Sequence, residues 1–282
     1  MYFKDINIRD PFVLPYEGKY YLYGTRGSTA WCSAEGLDVY VSDDLENWSE
    51  PHECFTVTKD FWADKEVWAP EVHIYRGKFY MFVSLRSDTR NRGTQILRSD
   101  SPLGPFLPIS DDAITPREWL ALDGTFYVSK SGEPYIVFCH EWVQITDGEI
   151  CAMKLSDDLT HAVSEPAVLF RASEPFWADK SRDKFITDGP FMYRTECGKL
   201  LMIWSTFTPS GYVQAIAHSD NDDIDGNWIH EELLFEKDGG HGMVFSDFDK
   251  NKYLILHSPN ENPLERPVLF GVKEENGTLV LK

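Results

Sequence analysis

The chain has 282 residues, 27 basic against 46 acidic, for a formal net charge of −19. With 42% hydrophobic and 14% aromatic residues it can bury a large core, which excludes a disordered chain despite the acidity. A surface this negative repels phosphate backbones and anionic lipid, so neither nucleic acid nor membrane is an expected partner, and neutral ligands fit better.

Taken in chain order, one pattern recurs five times. Each unit opens on Asp, Ala or His with Pro or Gly nearby, then runs through an apolar stretch, a turn and a second aromatic-rich stretch. The units are DPFVLPYEGKYYLYGT from Asp10, APEVHIYRGKFYMFVS from Ala69, DGTFYVSKSGEPYIVFC from Asp123, DGPFMYRTECGKLLMIWST from Asp188 and HGMVFSDFDKNKYLILHS from His241. Alternation of Tyr, Phe and Val between turn residues predicts a β-hairpin in each. A third strand is expected after every hairpin, at DVYVSDDLENW, TQILRSDSPLGPF, EICAMKLSDDL, VQAIAHSDNDDIDGNW and RPVLFGVKEEN.

The five openings lie 59, 54, 65 and 53 residues apart, the period of a four-stranded propeller blade with its loops. The expectation is an all-β, five-bladed β-propeller forming one domain over residues 1–282. The last unit ends in GTLVLK and should supply its own outer strand, so the ring need not borrow one from the N-terminus.

In such a ring the innermost strands start at a shared axial channel. The opening positions therefore converge: Asp10, Asp123, Asp188 and His241, with Glu71 two places into the second unit. Asp, Gly and Pro at a strand opening are also ordinary turn residues. Several carboxylates around one axis, however, repel one another and shift pKa values in the way acid/base catalysis requires, which a structural role could avoid.

Arg9-Asp10-Pro11-Phe12, Trp68-Ala69-Pro70-Glu71, Leu122-Asp123-Gly124-Thr125-Phe126, Thr187-Asp188-Gly189-Pro190-Phe191 and Gly240-His241-Gly242 together resemble the blade openings of glycoside hydrolase family 43. The resemblance covers essentially the whole chain and keeps the family's order. It implies a five-bladed propeller that hydrolyses arabinosides or xylosides with inversion, with Asp10 as general base, Asp123 as the carboxylate that tunes and orients the acid, and Asp188 in the acid's place. The family's acid is usually Glu in E-G-P; the Asp here is one methylene shorter, which leaves Glu141 and Glu174 as alternative proton donors. His241 resembles a channel histidine found beside a hydrated calcium or other small cation, while no cofactor is required.

Trp62 and Trp177 lie in twin FWADK segments that precede blade openings, and either wall a sugar pocket or wedge between blades. Trp31, Trp142 and Trp204 are similarly placed after second strands; Trp142 is counted with the substrate contacts, as is Arg266 by its resemblance to a substrate-binding arginine. The expected ligand is an arabinose- or xylose-containing oligosaccharide, and long blade-linking loops suit an exo-acting α-L-arabinofuranosidase or β-xylosidase. An endo-arabinanase and a sugar-binding propeller with an impaired acid are the alternatives. Retaining fructosidases would need a Glu-Cys acid in mid-chain, but Glu196-Cys197 falls in the turn between Tyr193 and Lys199, distal to the channel, and Glu53-Cys54 on an outer strand of the first blade. No GxSxG, GxxxxGK, HExxH or GxGxxG is present.

No segment approaches the roughly 20 apolar residues of a membrane span, and MYFKDINIRD lacks the apolar stretch of a signal peptide. Cys32, Cys54, Cys139, Cys151 and Cys197 are scattered, odd in number and without CxxC spacing, against both a disulfide framework and a thiolate zinc site. A cytoplasmic location is expected of the sequence as written, and a periplasmic or secreted one if a leader has been trimmed.

Overall fold

A computed structural model of the chain describes residues 1–33 and 35–282. Its strands form five sheets of four, each an antiparallel meander in sequence order. Blade one holds β1 (Ile8–Tyr16), β2 (Lys19–Arg26), β3 (Gly36–Ser42) and β4 (His52–Thr56). Blade two holds β5 (Lys65–Tyr75), β6 (Lys78–Arg86), β7 (Gly93–Ser99) and β8 (Leu107–Pro108). Blade three comprises β9 (Ala121–Val128), β10 (Pro134–His140), β11 (Glu149–Lys154) and β12 (Ala167–Arg171), with a one-turn helix α1 (Trp142–Ile145) after β10. Blade four comprises β13 (Asp188–Arg194), β14 (Leu200–Thr208), β15 (Gly211–Ser219) and β16 (Trp228–His230). Blade five comprises β17 (Gly240–Ser246), β18 (Lys252–Ser258), β19 (Arg266–Glu275) and β20 (Thr278–Leu281). The five-bladed propeller expected from the repeat is the observed fold, and the last blade does supply its own outer strand.

Local chemistry explains the hairpins. Tyr16 pairs with Lys19 and Tyr75 with Lys78, leaving the two-residue turns Glu17-Gly18 and Arg76-Gly77, whose φ angles of 47 and 79° and of 48 and 75° are those of type I′ turns. Those turns match the right-handed twist of the flanking strands, so X-Gly at the tip fixes the register.

The core lies between neighbouring blades. One apolar cluster runs from blade four through blade five into blades one and two, around Leu22, Tyr23, Met81 and Leu254; a second joins blades three and four around Trp204, and a third joins two and three around Phe82 and Phe138. Each fully buried side chain of this size stabilises by about 1.5–3 kcal/mol relative to exposure. Blade five meets blade one without a shared strand. Asn7 donates to the Glu265 and Pro263 carbonyls (both 3.0 Å), and Arg9 pairs with the fully buried Glu265 (2.8 Å). No helix among the described residues is long and apolar enough to cross a membrane.

The innermost strands β1, β5, β9, β13 and β17 line the axis and touch one another. Each breaks its register with the second strand at an equivalent place, after Arg9, Trp68, Leu122, Asp188 and Gly240, and β5 has a further break between Lys65 and Trp68. The residue that follows takes a positive φ in every blade: Asp10 53°, Ala69 49°, Asp123 56°, Gly189 49° and His241 48°. Left-handed backbone at a non-glycine residue costs about 1–2 kcal/mol. Ala69 adopts it with no functional side chain, so the bulge belongs to the architecture and is not specific to the carboxylates.

Candidate active site

The bulges sort the channel residues into tiers, and here the register read from the sequence needs correction. Asp188 is not equivalent to Asp10, Asp123 and His241; Gly189 is, and Asp188 stands one residue earlier, level with Arg9, Trp68, Leu122 and Gly240. The extra residue was invisible because Asp188-Gly189 imitates Asp123-Gly124. The outer tier therefore carries Arg9, Trp68, Leu122 and Asp188 on the wall of a pocket of about 390 Å³, and the bulge tier puts Asp10, Asp123 and His241 in it as well. Two positions deeper stand Phe12, Glu71 and Phe191.

Asp10 is buried, with Oδ2 accepting from Thr25 Oγ1 (2.6 Å) and Oδ1 lying 3.2 Å from His241 Nδ1 and 4.0 Å from Arg9 Nε. Burial alone would raise its pKa, but the charges of His241 and Arg9 and the Thr25 hydrogen bond outweigh it and hold the carboxyl below its usual value. Asp10 is thus an anion throughout the physiological range. His241 loses basicity by burial but regains more from Asp10 and Asp123, and its pKa is raised.

Asp123 Oδ2 accepts from Gly189 N–H (3.0 Å) and lies 3.7 Å from His241 Nδ1; its own backbone N–H donates to Ser84 Oγ (2.7 Å). Asp188 accepts from the Tyr212 hydroxyl (3.1 Å). Burial and then repulsion from Asp123 push Asp188 up to about 7, while Asp123, for which burial again leads, reaches about 6. The two share one site, so their proton is best treated as held jointly, with Asp188 the favoured carrier. Asp10 acts on Asp123, whereas the charges acting most on Asp188 are Asp123, His241 and Arg9. The arrangement is one carboxylate kept ionised, one kept protonated, and a third between them.

Several expected contacts fall elsewhere. Trp62 donates to Gln95 Oε1 (2.6 Å) beneath Arg90, and Trp177 donates to the Glu231 carbonyl (2.8 Å) beside Trp204 (5.9 Å). Both FWADK tryptophans are wedges between strands, outside the central pocket. Trp204 is fully buried in the second apolar cluster. Arg266 donates to the carbonyls of Lys4 (2.9 Å), Pro263 (3.0 Å) and Glu265 (2.7 Å) at the blade five to blade one closure, so it is spent on the backbone. Glu71 lies below the sugar-sized pocket, 2.9 Å from His73 Nε2, beside a small hollow shared with Asp10 and His241. Glu174 is exposed and accepts from Arg171 N–H (3.0 Å) in a turn, away from the pocket.

Trp142 and Glu141 do line the pocket, as does Trp31. Glu141 is buried and pairs with Arg92 (2.5 Å); burial leads, Arg92 opposes it, and the net pKa is raised. Sequence reasoning missed Arg9, Trp68, Arg86, Arg92 and Tyr212. Arg9 and Trp68 could have been found, since each immediately precedes a repeat opening. Arg92 and Tyr212 lie at the starts of third strands and carry no repeat signal. Arg92 is clamped by Glu66 (2.6 Å) and stacks 4.4 Å from Trp68, while Trp31 meets Trp68 at 5.1 Å; together they form one wall of the pocket.

His241 Nδ1 faces Asp10 (3.2 Å) and Asp123 (3.7 Å), so that nitrogen is taken by carboxylates and Nε2 is the one that would face a cation. Among the described residues no three His, Cys, Asp or Glu side chains are grouped to hold an ion.

Comparison with known proteins agrees with this geometry. The model of the glycosyl hydrolases family 43 matches residues 4–271. The solved structure of an endo-arabinase from Bacteroides thetaiotaomicron superposes with a TM-score of 0.90 at 37% identity, covering 99% of this chain and 98% of that one. A xylosidase/arabinosidase of Bacteroides ovatus is 27% identical over 283 residues, 88% of this chain and 85% of that protein. An extracellular exo-α-(1→5)-L-arabinofuranosidase of Cellvibrio japonicus is 25% identical over 173 residues, and the match spans 46% of its length. That relative is named as extracellular, so the comparison lends no support to the cytoplasmic placement expected from the cysteines.

Proposed function

This chain belongs to the glycosyl hydrolases family 43, and on that premise we propose that it removes terminal α-L-arabinofuranosyl residues from oligosaccharides, with β-D-xylosides as the competing substrate class. Asp10 acts as general base, Asp188 as general acid and Asp123 as the charge that keeps the acid protonated. In one displacement the C–O bond to the leaving group breaks as its oxygen takes the Asp188 proton. A water oxygen bonds to the anomeric carbon from the opposite face and gives a proton to Asp10. Inversion needs the two carboxyl groups roughly 6.5–9.5 Å apart, to leave room for that water. Blades one and four are not neighbours, and the two side chains stand in different tiers.

The observation that carries the reading is the opposite tuning of Asp10 and Asp188, one held below its usual pKa and the other pushed to about 7. It also speaks against a binding-only propeller, since a sugar-binding site has no use for a carboxyl poised to donate at neutral pH. The shorter acid is compensated by its position in the outer tier, nearer the pocket mouth than the base. Exo action is favoured by the wall that Trp31, Trp68 and Arg92 build by packing on one another in the pocket. The 37% identity to a protein named as an endo-arabinase supports the endo alternative.

The test is turnover of 4-nitrophenyl α-L-arabinofuranoside, with the β-D-xyloside and the Asp10→Asn variant alongside. Turnover that falls by about 10³–10⁴-fold in the variant supports the assignment; undiminished turnover removes Asp10 as base. With linear arabino-oligosaccharides, free arabinose as the first product supports exo action, and shorter oligosaccharides appearing first establish endo action.

A further inference from the structure

Beside the central pocket lies a second hollow of about 330 Å³, lined by Trp142, Arg182, Lys184, Ile186, Phe207 and Asp188. It shares Asp188 and Trp142 with the central pocket. A general acid must touch the oxygen of the departing unit, so the hollow that shares the acid but not the base is the leaving-group side. This placement rests on the reading of Asp188 given above.

The cations of the two hollows differ in one respect. In the central pocket each arginine is neutralised: Arg9 by Glu265, Arg86 by Glu66, and Arg92 by Glu66 and Glu141. In the second hollow Arg182 lies 6.0 Å from the Phe207 ring and donates to the Phe207 carbonyl (3.1 Å), and Lys184 Nζ lies 5.0 Å from the Trp142 ring. Among the described residues neither makes an ion pair. The nearby Asp179 turns its carboxylate to Ser181 N–H (3.0 Å) and Oγ (2.7 Å). Arg182 still acts on Asp179 through its charge, but in a chain of net charge −19 two cations without a direct ion pair, held beside aromatic rings next to the acid, are the opposite of what a neutral leaving group needs.

We propose that the Arg182–Lys184 hollow is a leaving-group subsite for a uronic acid, whose carboxylate pairs with the two cations while its ring packs against Trp142 and Phe207. The net charge of −19 disfavours an anionic glycan in general, so this local pair of cations selects for a uronate in the hollow. Arginine supplies a planar fork suited to a carboxylate and lysine a point charge.

A matched pair of probes tests it: an arabinofuranosyl galacturonide and the corresponding arabinofuranosyl galactoside, which differ only by carboxylate against hydroxymethyl. Binding to the Asp10→Asn variant by calorimetry and kcat/KM of the wild-type enzyme are both measured. The galacturonide is expected to be favoured about tenfold in low salt, with the ratio shrinking as ionic strength rises. In Arg182→Met/Lys184→Met, and more weakly in each single variant, the ratio should fall toward one. Equal affinity for the two probes in low salt, or a preference that persists in the double variant, overturns the proposal. Loss of turnover on aryl arabinofuranosides with the binding preference intact would instead remove the catalytic reading and leave the uronate site standing.

Discussion

The junction between blades three and four differs from the other four, and the difference separates scaffold from chemistry. At four junctions the N–H of the bulge residue donates to the second strand of the preceding blade: Ala69 to Thr25 (2.8 Å), Asp123 to Ser84 (2.7 Å), His241 to Ser205 (2.7 Å) and Asp10 to His257 Nδ1 (3.2 Å). At the fifth, the equivalent acceptor position holds Cys139, a buried thiol and a weak acceptor, and the Gly189 N–H turns to Asp123 Oδ2 (3.0 Å). The same backbone bulge therefore joins blades at four places and orients a carboxylate at one. His257 shows how closely the closure follows the rule. Its Nε2 lies 3.0 Å from Asn260 Oδ1, which keeps the proton there and frees Nδ1 to accept, and burial lowers its pKa to about 4.

The comparison breaks most severely at Gly189. A Cβ there would lie 2.6 Å from His241 Cδ2 in a left-handed backbone, so Gly189→Ala must displace the imidazole that holds Asp10 and Asp123. Loss of kcat by about 10²-fold or more is expected, with destabilisation of about 1–3 kcal/mol read from denaturant unfolding. Asp188→Asn should lower kcat/KM by about 10²-fold on natural oligosaccharides and far less on 4-nitrophenyl glycosides, whose leaving group needs little protonation. Equal losses on both would transfer the acid's role to Glu141.

The pH profile sharpens the contrast further. Activity requires Asp188 protonated and Asp10 ionised, so kcat/KM should fall as pH rises through about 7 and, on the acid side, hold until pH drops below the usual carboxylate range. In Asp123→Asn the repelling charge is gone, Asp188 ionises more readily, and the alkaline limb should move to lower pH by about one unit. The smallest effects distinguish the two kinds of junction. Ser205→Ala strands the His241 N–H and should cost about 1–3 kcal/mol of stability. Cys139→Ser offers Gly189 a rival acceptor and should lower kcat a few-fold while leaving stability nearly unchanged.

Much of this was legible because strand chemistry is local. The X-Gly tips and the alternating aromatics marked the hairpins, and their spacing marked the blades. What escaped was register at the bulge. Thr187-Asp188-Gly189-Pro190 reads like the other openings, yet the left-handed residue is Gly189, and only pairing with β14 reveals it. The twin FWADK segments misled for the opposite reason: identical sequence was taken as shared function, whereas the shared requirement was a wedge with a satisfied indole N–H. Arg92, just before β7, and Tyr212, in β15, reach the pocket through tertiary packing alone, which no short motif encodes.

The central claim is that base and acid stand apart in two tiers and perform one direct displacement. Proton NMR of the first product released from an α-L-arabinofuranosyl oligosaccharide, recorded before mutarotation, tests it most directly. The account predicts β-L-arabinofuranose, the inverted anomer. An α-anomer as the first product would mean two displacements through a covalent intermediate, and would contradict the roles given to Asp10 and Asp188.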